Sequence, residues 1–275
     1  VVFFFLIAPL IAIIPISFSV SPFMVFTDEM LTWPPDPDAW SLRWYKNMIG
    51  NCSADVVSST VPCSNKWMIG TVNSFFIGFI ATFIATTLGT LAALGLSRPH
   101  MPYKGLIMAI LISPMIVPLI ITAAGMFFFY ARINLVYSFT GIILAHVALA
   151  TPFVVITVTA TLVGFDMNMV KASQSLGARP VRTFFKVIMP LILPGVISGA
   201  LFAFITSFDE VVIVMFMASL DQLTIPKQMW AGIRQEISPV ILCMATCLVI
   251  LSILLLTTVE LLRRRSEKLR GIKSR

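Results

Sequence analysis

The sequence predicts an all-α polytopic membrane protein. Hydrophobic residues make up 58% of the 275-residue chain and charged residues only 11%, whereas soluble domains carry about 25% charged residues. The apolar residues are grouped into six long segments, and a helix needs roughly 20 such residues to span a bilayer. Polar and basic stretches separate these segments. This composition argues against a soluble protein with one large core.

We predict six transmembrane helices within a single transmembrane domain covering residues 1–275; in chain order they are residues 1–20, 68–96, 106–130, 139–163, 191–217 and 240–262. A signal peptide is the alternative for the first segment, but no small-residue cleavage site follows it. Pro114 and Pro118 lie on one face of the third helix and predict a bend there.

The distribution of basic residues predicts which loops face the cytoplasm. With the N-terminus inside, the inner segments 97–104, 164–190 and 263–275 carry 13 Lys and Arg residues, and the outer segments carry six. Basic residues concentrate in cytoplasmic loops. Both termini are therefore predicted to be cytoplasmic, and the polar loop 21–67 periplasmic. The basic tail 263–275 is interpreted as an anchor near anionic membrane lipid rather than as a nucleic-acid site.

Residues 164–190 form a polar, basic interruption between the fourth and fifth predicted helices. Its charged residues alternate with small residues, which would let another surface approach the backbone closely. Structureless loops of this length are uncommon in compact domains unless they have a function. We interpret the segment as a docking element on the cytoplasmic side. The alternative is an amphipathic helix at the membrane surface that has no partner.

The same segment resembles the EAA loop of ABC-importer permeases, whose pattern is Glu-Ala-Ala, three residues, Gly and a downstream Pro. Ala172, Gly177 and Pro190 match this pattern, while Lys171 stands where Glu is usual and Ser173 replaces the second Ala. From about residue 67 onward, the chain is most similar to spermidine/putrescine-type permeases. The run from Ser207 to Val212, sequence SFDEVV, adds to this similarity.

The resemblance implies an importer subunit that moves a small organic solute, such as a polyamine or a related cation, across the bacterial inner membrane. It implies a second homologous permease, a dimer of cytoplasmic ATPases and a periplasmic substrate-binding protein as partners. ATP-driven closure of the ATPases would push on the segment and open the pathway outward, which is alternating access. The coupling residues implied are Lys171, Ala172, Ser173, Leu176, Gly177 and Ala178.

The chain itself is not predicted to be an enzyme. It contains no GxxxxGK[ST] phosphate loop and no HExxH or CxxC motif, so nucleotide hydrolysis must come from another chain. We therefore expect no cofactor, catalytic residue or metal in this chain, and expect ATP and Mg²⁺ to be bound by the partner ATPases. An ion-coupled secondary transporter or channel subunit, with Asp209 as its ion site, remains the alternative function.

Asp209 and Glu210 are the candidate pathway residues, because carboxylates within an apolar segment are costly and by default functional. They could attract a cationic substrate, with Phe208 and Trp230 providing aromatic contacts. The alternative is a structural ion pair, for example with Arg234. Both interpretations remain open at this point.

Two further polar features have structural interpretations. His146, in the fourth predicted helix, is expected to hydrogen-bond to a neighbouring helix. Cys52 and Cys63 flank a Ser-rich turn in the predicted periplasmic loop, where a disulfide would persist, although two free thiols are the alternative. Cys243 and Cys247 are expected to be small packing residues rather than metal ligands.

Overall fold

A computed structural model describes residues 2–33, 36–50, 65–98, 100–166, 168–235 and 238–269. Within these ranges the regular elements are helical, and the one isolated β-bridge joins Ser19 to Trp40. The all-α class is thus confirmed. The helices are α1 Val2–Ile16, α2 Asp28–Leu31, α3 Arg43–Met48, α4 Lys66–Leu96, α5 Lys104–Ile116, α6 Leu119–Arg132, α7 Phe139–Val163, α8 Asn168–Ser175, α9 Pro180–Thr183, α10 Met189–Phe208, α11 Val212–Met217, α12 Ile225–Gln235 and α13 Val240–Leu269.

Four described helices are long and apolar enough to cross a membrane, and their spanning parts are Lys66–Leu96, Phe139–Val163, Pro180–Phe208 and Val240–Thr257. The pair α5 and α6 makes a fifth span if it is counted as one. The first predicted helix is shorter than expected, because α1 ends at Ile16. Ser17 donates to the carbonyl of Ile14, and Ser19 pairs with Trp40. Local hydrogen bonds therefore end this helix before its apolar run ends.

The third predicted helix is two helices bent by 102° between Ile116 and Leu119. Pro118 is the N-cap of α6, and Val117 has an extended backbone. Proline lacks the N–H that a continuing helix requires and disfavours helical backbone in the residue before it. The expected bend is confirmed and is a complete break.

The prediction of one helix over residues 191–217 is wrong. The observed helical stretch begins earlier, at Pro180, continues through a π-helical turn at Phe184–Ile188 into α10, and ends at Phe208. A new helix, α11, starts at Val212. The break coincides with the two acidic residues of the segment, Asp209 and Glu210.

The described residues form two compact units, residues 69–228 and residues 1–68 with 229–275. In the first unit α7 is the central helix, since 67% of its spanning part is buried, against 33% for Lys66–Leu96 and 28% for Pro180–Phe208. Small residues allow neighbours to approach α7 closely. A Cβ at Gly195 of α10 would collide with Thr161, and one at Gly89 of α4 would lie 2.6 Å from Val154.

The second unit contains α1, α2, α3 and α13. The indole of Trp44 donates to the carbonyl of Ser19 at 2.9 Å, and the hydroxyl groups of Tyr45 and Ser17 lie 2.7 Å apart. The buried Cys243 donates its thiol to the carbonyl of Ser17 at 3.3 Å. This contact agrees with the packing role expected for Cys243. Cys52 and Cys63 lie outside the described residues, so their disulfide stays a prediction.

Candidate coupling and pathway sites

The helix α8 ends in a hydrogen-bonded turn that presents the proposed coupling residues. Gly177 donates to the carbonyl of Gln174 at 2.9 Å, and Ala178 donates to the carbonyl of Ser173 at 3.1 Å. Gly177 has a φ of +77°. These two bonds and the left-handed residue define a Schellman C-cap, in which glycine is strongly preferred. The left-handed backbone at Gly177 therefore explains why glycine occupies this position of the sequence motif.

The turn exposes one large apolar side chain, Leu176, which is 88% exposed. Val181 and Phe185, which are 68% and 62% exposed, lie beyond the turn in the helix Pro180–Phe208. Lys171 and Ala172 are also exposed, whereas Ser173 and Ala178 are half-buried. Nothing lies within 4 Å of the position that a Cβ would take on Gly177. An exposed leucine in a segment that also carries exposed Lys171 and Arg179 is a surface that a protein partner can cover.

A polar contact fixes α8 to the chain that follows the turn. The hydroxyls of Ser173 and Thr183 lie 2.9 Å apart, and Thr183 is buried. Pro180 occupies the first turn of α9, a position where its missing N–H costs nothing. From Thr183 the chain continues through the π-helical turn into α10. The contact between Ser173 and Thr183 therefore joins α8 to the helical stretch that continues into α10.

The two acidic residues have different environments. Asp209 is the C-cap of α10, and its side chain is exposed. Glu210 is buried, and its carboxylate accepts a hydrogen bond from the amide of Ile213 at 2.9 Å. This contact satisfies an amide in the first turn of α11, where negative charge is also favoured by the helix dipole. Glu210 therefore stabilises the start of the new helix, and Asp209 is the exposed carboxylate at the break.

Phe208 belongs to a cluster of four aromatic rings between α4 and α10. Its ring centroid lies 5.2 Å from Phe75 and 5.4 Å from Phe204, and Phe79 lies 5.2 Å from Phe204. Such offset and tilted pairs stabilise helix packing. The ring of Phe208 thus packs the end of α10, which Asp209 follows, against α4.

The structure brings Phe208, Asp209 and Glu210 together at one helix break. Trp230 is 47% exposed on α12 and belongs to the other compact unit, as does Arg234. The expectation that Trp230 lines the same pathway stays a prediction.

A buried polar pair joins α7 to α10 close to the break. Nδ1 of His146 lies 2.8 Å from the hydroxyl of Ser207, and both residues are buried. The expected hydrogen bond of His146 to a neighbouring helix is therefore confirmed. The sequence did not identify Ser207 as the partner of His146. The only signal for Ser207 was that a polar residue lies within an apolar segment.

Sequence reasoning also missed a polar network around residues 218–225. The amide of Asn73 donates to the carbonyls of Asp221 and Leu223, both at 2.9 Å, and Ser74 accepts from the amide of Ile225 at 2.8 Å. These contacts attach the loop after α11 to the first turns of α4. An Asn-Ser pair at the start of an apolar segment was the signal that could have indicated them.

Comparison with known families decides the class of the protein. Residues 85–268 match the model of the family described as binding-protein-dependent transport system inner membrane component. The chain belongs to this family. The resemblance to ABC-importer permeases is thus confirmed, and this inner-membrane component is a multi-pass membrane protein.

The similarity to curated relatives extends over most of this chain. The spermidine/putrescine transport system permease protein PotC of Haemophilus influenzae is 27% identical over 267 residues, which is 97% of this chain and 95% of that protein. The putrescine transport system permease protein PotI of Escherichia coli K12 is 28% identical over 252 residues, 89% of this chain and 81% of that protein.

Two solved structures share the fold. A bacterial ABC transporter involved in the import of the acidic polysaccharide alginate matches 95% of this chain and 91% of its own, with a TM-score of 0.65 and 14% identity. The MetNI methionine ABC transporter in an inward-facing conformation matches 74% of this chain and 95% of its own, with a TM-score of 0.52 and 20% identity.

Proposed function

We propose that this chain is the permease subunit of an ABC importer that moves a polyamine or a related small organic cation by ATP-driven alternating access. Family membership and the transport functions of the relatives PotC and PotI support the substrate class. The single observation that carries the mechanism is the exposed apolar tip of the coupling segment, residues 164–190, which is linked through Thr183 to α10.

In this proposal a cytoplasmic ATPase dimer binds the tip formed by Lys171, Ala172, Ser173, Leu176, Gly177 and Ala178. ATP and Mg²⁺ are bound by those ATPases and not by this chain. A second homologous permease completes the pathway, and a periplasmic binding protein delivers the solute. Both termini and residues 164–190 are placed in the cytoplasm, and the loop 21–67 in the periplasm, because basic residues concentrate in the inner segments.

Asp209 is proposed to attract the cationic solute. It is exposed at the end of α10, beside the aromatic ring of Phe208 and at a break in the helix. Irregular backbone at membrane depth is tolerated where it lines a cavity or is buried in protein. A discontinuous helix is also a recurring feature of transporter binding sites. Family membership favours this interpretation of Asp209 over an ion-coupled secondary transporter.

The docking proposal is tested by Leu176→Asn, with Leu220→Asn as the matched control. These two leucines are 88% and 84% exposed, but Leu220 lies in the segment predicted to be periplasmic. Burying a leucine in an interface contributes about 1.5–3 kcal/mol, so Leu176→Asn should weaken copurification of the ATPase by at least about tenfold. Substrate-stimulated ATP hydrolysis should fall with it.

The Leu220→Asn variant should retain both properties. Normal ATPase binding by Leu176→Asn, or equal losses in the two variants, would contradict docking at this tip. If no ATPase copurifies with the unmodified protein, the importer assignment itself fails.

A further inference from the structure

A cavity of about 320 Å³ lies behind the coupling segment. It is an open pocket, bordered by the last turns of α4 and α7 on one side and by α8, α9 and the π-helical turn on the other. Its apolar wall includes Leu94, Leu162, Phe165 and Ile188. The volume falls at the lower end of the range of small-molecule sites, about 300–1,000 Å³.

The polar groups at the rim leave one strong cationic donor for a ligand. The hydroxyl of Ser97 already donates to the carbonyl of Leu94 at 2.8 Å, and the hydroxyl of Thr183 contacts Ser173. Arg98 also lines the cavity and is exposed, and no carboxylate pairs with it among the residues that the structure describes. A guanidinium group can bind a phosphate through two parallel hydrogen bonds.

We propose that this cavity binds an acyl chain of an anionic phospholipid, whose headgroup phosphate is bound by Arg98. An apolar wall with one cation at the rim complements a hydrocarbon chain that ends in a negative group. The wall is built from the ends of two membrane-spanning helices, so a lipid can enter from the bilayer surface. The inference rests on the proposed function in placing residues 97–104 at the cytoplasmic leaflet, where anionic lipids attract basic residues.

A bound chain would stabilise the coupling segment against the membrane helices. It would contact α4 and α7 on one side and the π-helical turn on the other, and this turn leads directly into α10. The lipid would therefore influence how far a push on α8 moves α10. This makes the lipid a regulator of coupling and leaves the translocated solute unchanged.

The test is a titration of the purified transporter complex in non-ionic detergent with dioctanoyl phosphatidylglycerol, followed by native mass spectrometry. Dioctanoyl phosphatidylcholine and octanoate are titrated separately. Arg98→Gln removes the cation, and Lys104→Gln is its control in the same basic turn. Leu162→Trp fills the cavity, and Val163→Trp is its control on the adjacent residue, which is 83% exposed and is not part of the wall.

We expect phosphatidylglycerol to bind the unmodified complex more tightly than phosphatidylcholine. Arg98→Gln should weaken binding by about tenfold or more, because it removes a charge-assisted hydrogen bond to the phosphate. Leu162→Trp should weaken binding to a similar extent, because the larger side chain occupies the space of the acyl chain. Both controls should bind normally. Equal weakening by Arg98→Gln and Lys104→Gln, or unchanged binding by Leu162→Trp, would overturn the site.

Octanoate that binds as tightly as phosphatidylglycerol would overturn the lipid assignment in favour of a free carboxylate. The titration does not depend on transport activity. Absence of an ATPase from the complex would contradict the proposed function and leave the lipid result interpretable.

Discussion

Gly177 shows how one residue determines the shape of the coupling tip. The sequence suggested that its small size allows close approach of a partner. In the structure its φ of +77° closes the Schellman turn, and the space around its α-carbon is open. The backbone conformation is therefore the stronger reason for glycine at position 177, because the left-handed conformation costs free energy for a residue with a Cβ.

We predict that Gly177→Ala loosens the tip while Gly164→Ala does not. A Cβ added to either glycine would have no atom within 4 Å, but Gly164 has a φ of −88°. The left-handed conformation costs about 1–2 kcal/mol for alanine. Amide hydrogen exchange across residues 168–178 should therefore accelerate roughly 5- to 30-fold in Gly177→Ala. Gly177→Asn should have a smaller effect, since Asn tolerates this conformation. Unchanged exchange in Gly177→Ala would contradict the argument.

Asp209 and Glu210 are adjacent in sequence but have separable roles. The carboxylate of Asp209 is exposed, whereas the buried carboxylate of Glu210 accepts a hydrogen bond from the amide of Ile213 in the first turn of α11. Glu210 therefore has a structural contact at the helix break, and its place in the substrate pathway stays a prediction. The sequence alone could not separate them, because both carboxylates lie in the same apolar segment.

We predict that Asp209→Asn lowers uptake of a cationic solute and leaves assembly intact. A charge pair at 4 Å in water contributes about 1 kcal/mol, which corresponds to roughly fivefold in affinity. Glu210→Ala should instead destabilise the protein by about 0.5–2 kcal/mol through loss of the cap. Uptake in proteoliposomes and thermal unfolding, measured on the same preparations, separate the two effects. Normal uptake by Asp209→Asn would remove it from the pathway.

At the scale of elements, the contact between α7 and α10 organises residues 69–228. Gly195 and Gly199 of α10 face Thr161 and Thr157 of α7 so closely that a Cβ at either glycine would collide. Membrane helices associate through such small residues, because apolar burial gives little advantage in lipid. The bond between His146 and Ser207 adds a polar contact to the same interface.

We predict that Gly195→Ala destabilises the purified protein by about 1–3 kcal/mol, the usual cost of overpacking. Gly125→Ala on α6 is the control, since nothing lies within 4 Å of its Cβ position, and alanine there should be neutral or slightly stabilising. Thr161→Ala should partly restore stability in the double variant, because it removes the hydroxyl that the new methyl meets. Additive losses in a double-mutant cycle would show that the two residues do not interact.

The ends of the helices were predictable from the sequence where hydropathy or a proline residue determines them. The bounds predicted for α7 agree with Phe139–Val163, and the break before α6 follows from Pro118. The break before α11 was not predictable, because it depends on the Glu210 carboxylate reaching the amide of Ile213. The proposed coupling residues came from the resemblance to the EAA loop, whereas their exposure and the contact of Ser173 with Thr183 required coordinates.

At the scale of the whole molecule, the distribution of basic residues predicts the orientation of the chain in the membrane. Thirteen of the 19 Lys and Arg residues lie in the three segments predicted to be cytoplasmic. The coupling tip is one of these segments, so its access to an ATPase depends on this orientation. The loop that carries Leu220 must then face the periplasm.

We predict that cysteine labelling from the outside distinguishes these two exposed positions. Leu176→Cys and Leu220→Cys are compared in a background without the native cysteines, because the two leucines are similarly exposed, at 88% and 84%. A membrane-impermeant maleimide should label Leu220→Cys in intact spheroplasts and Leu176→Cys only after lysis, as the positive-inside rule requires. Equal labelling of Leu176→Cys before and after lysis would place the tip in the periplasm, where no ATP-hydrolysing partner could reach it, and would contradict both the orientation and the coupling role.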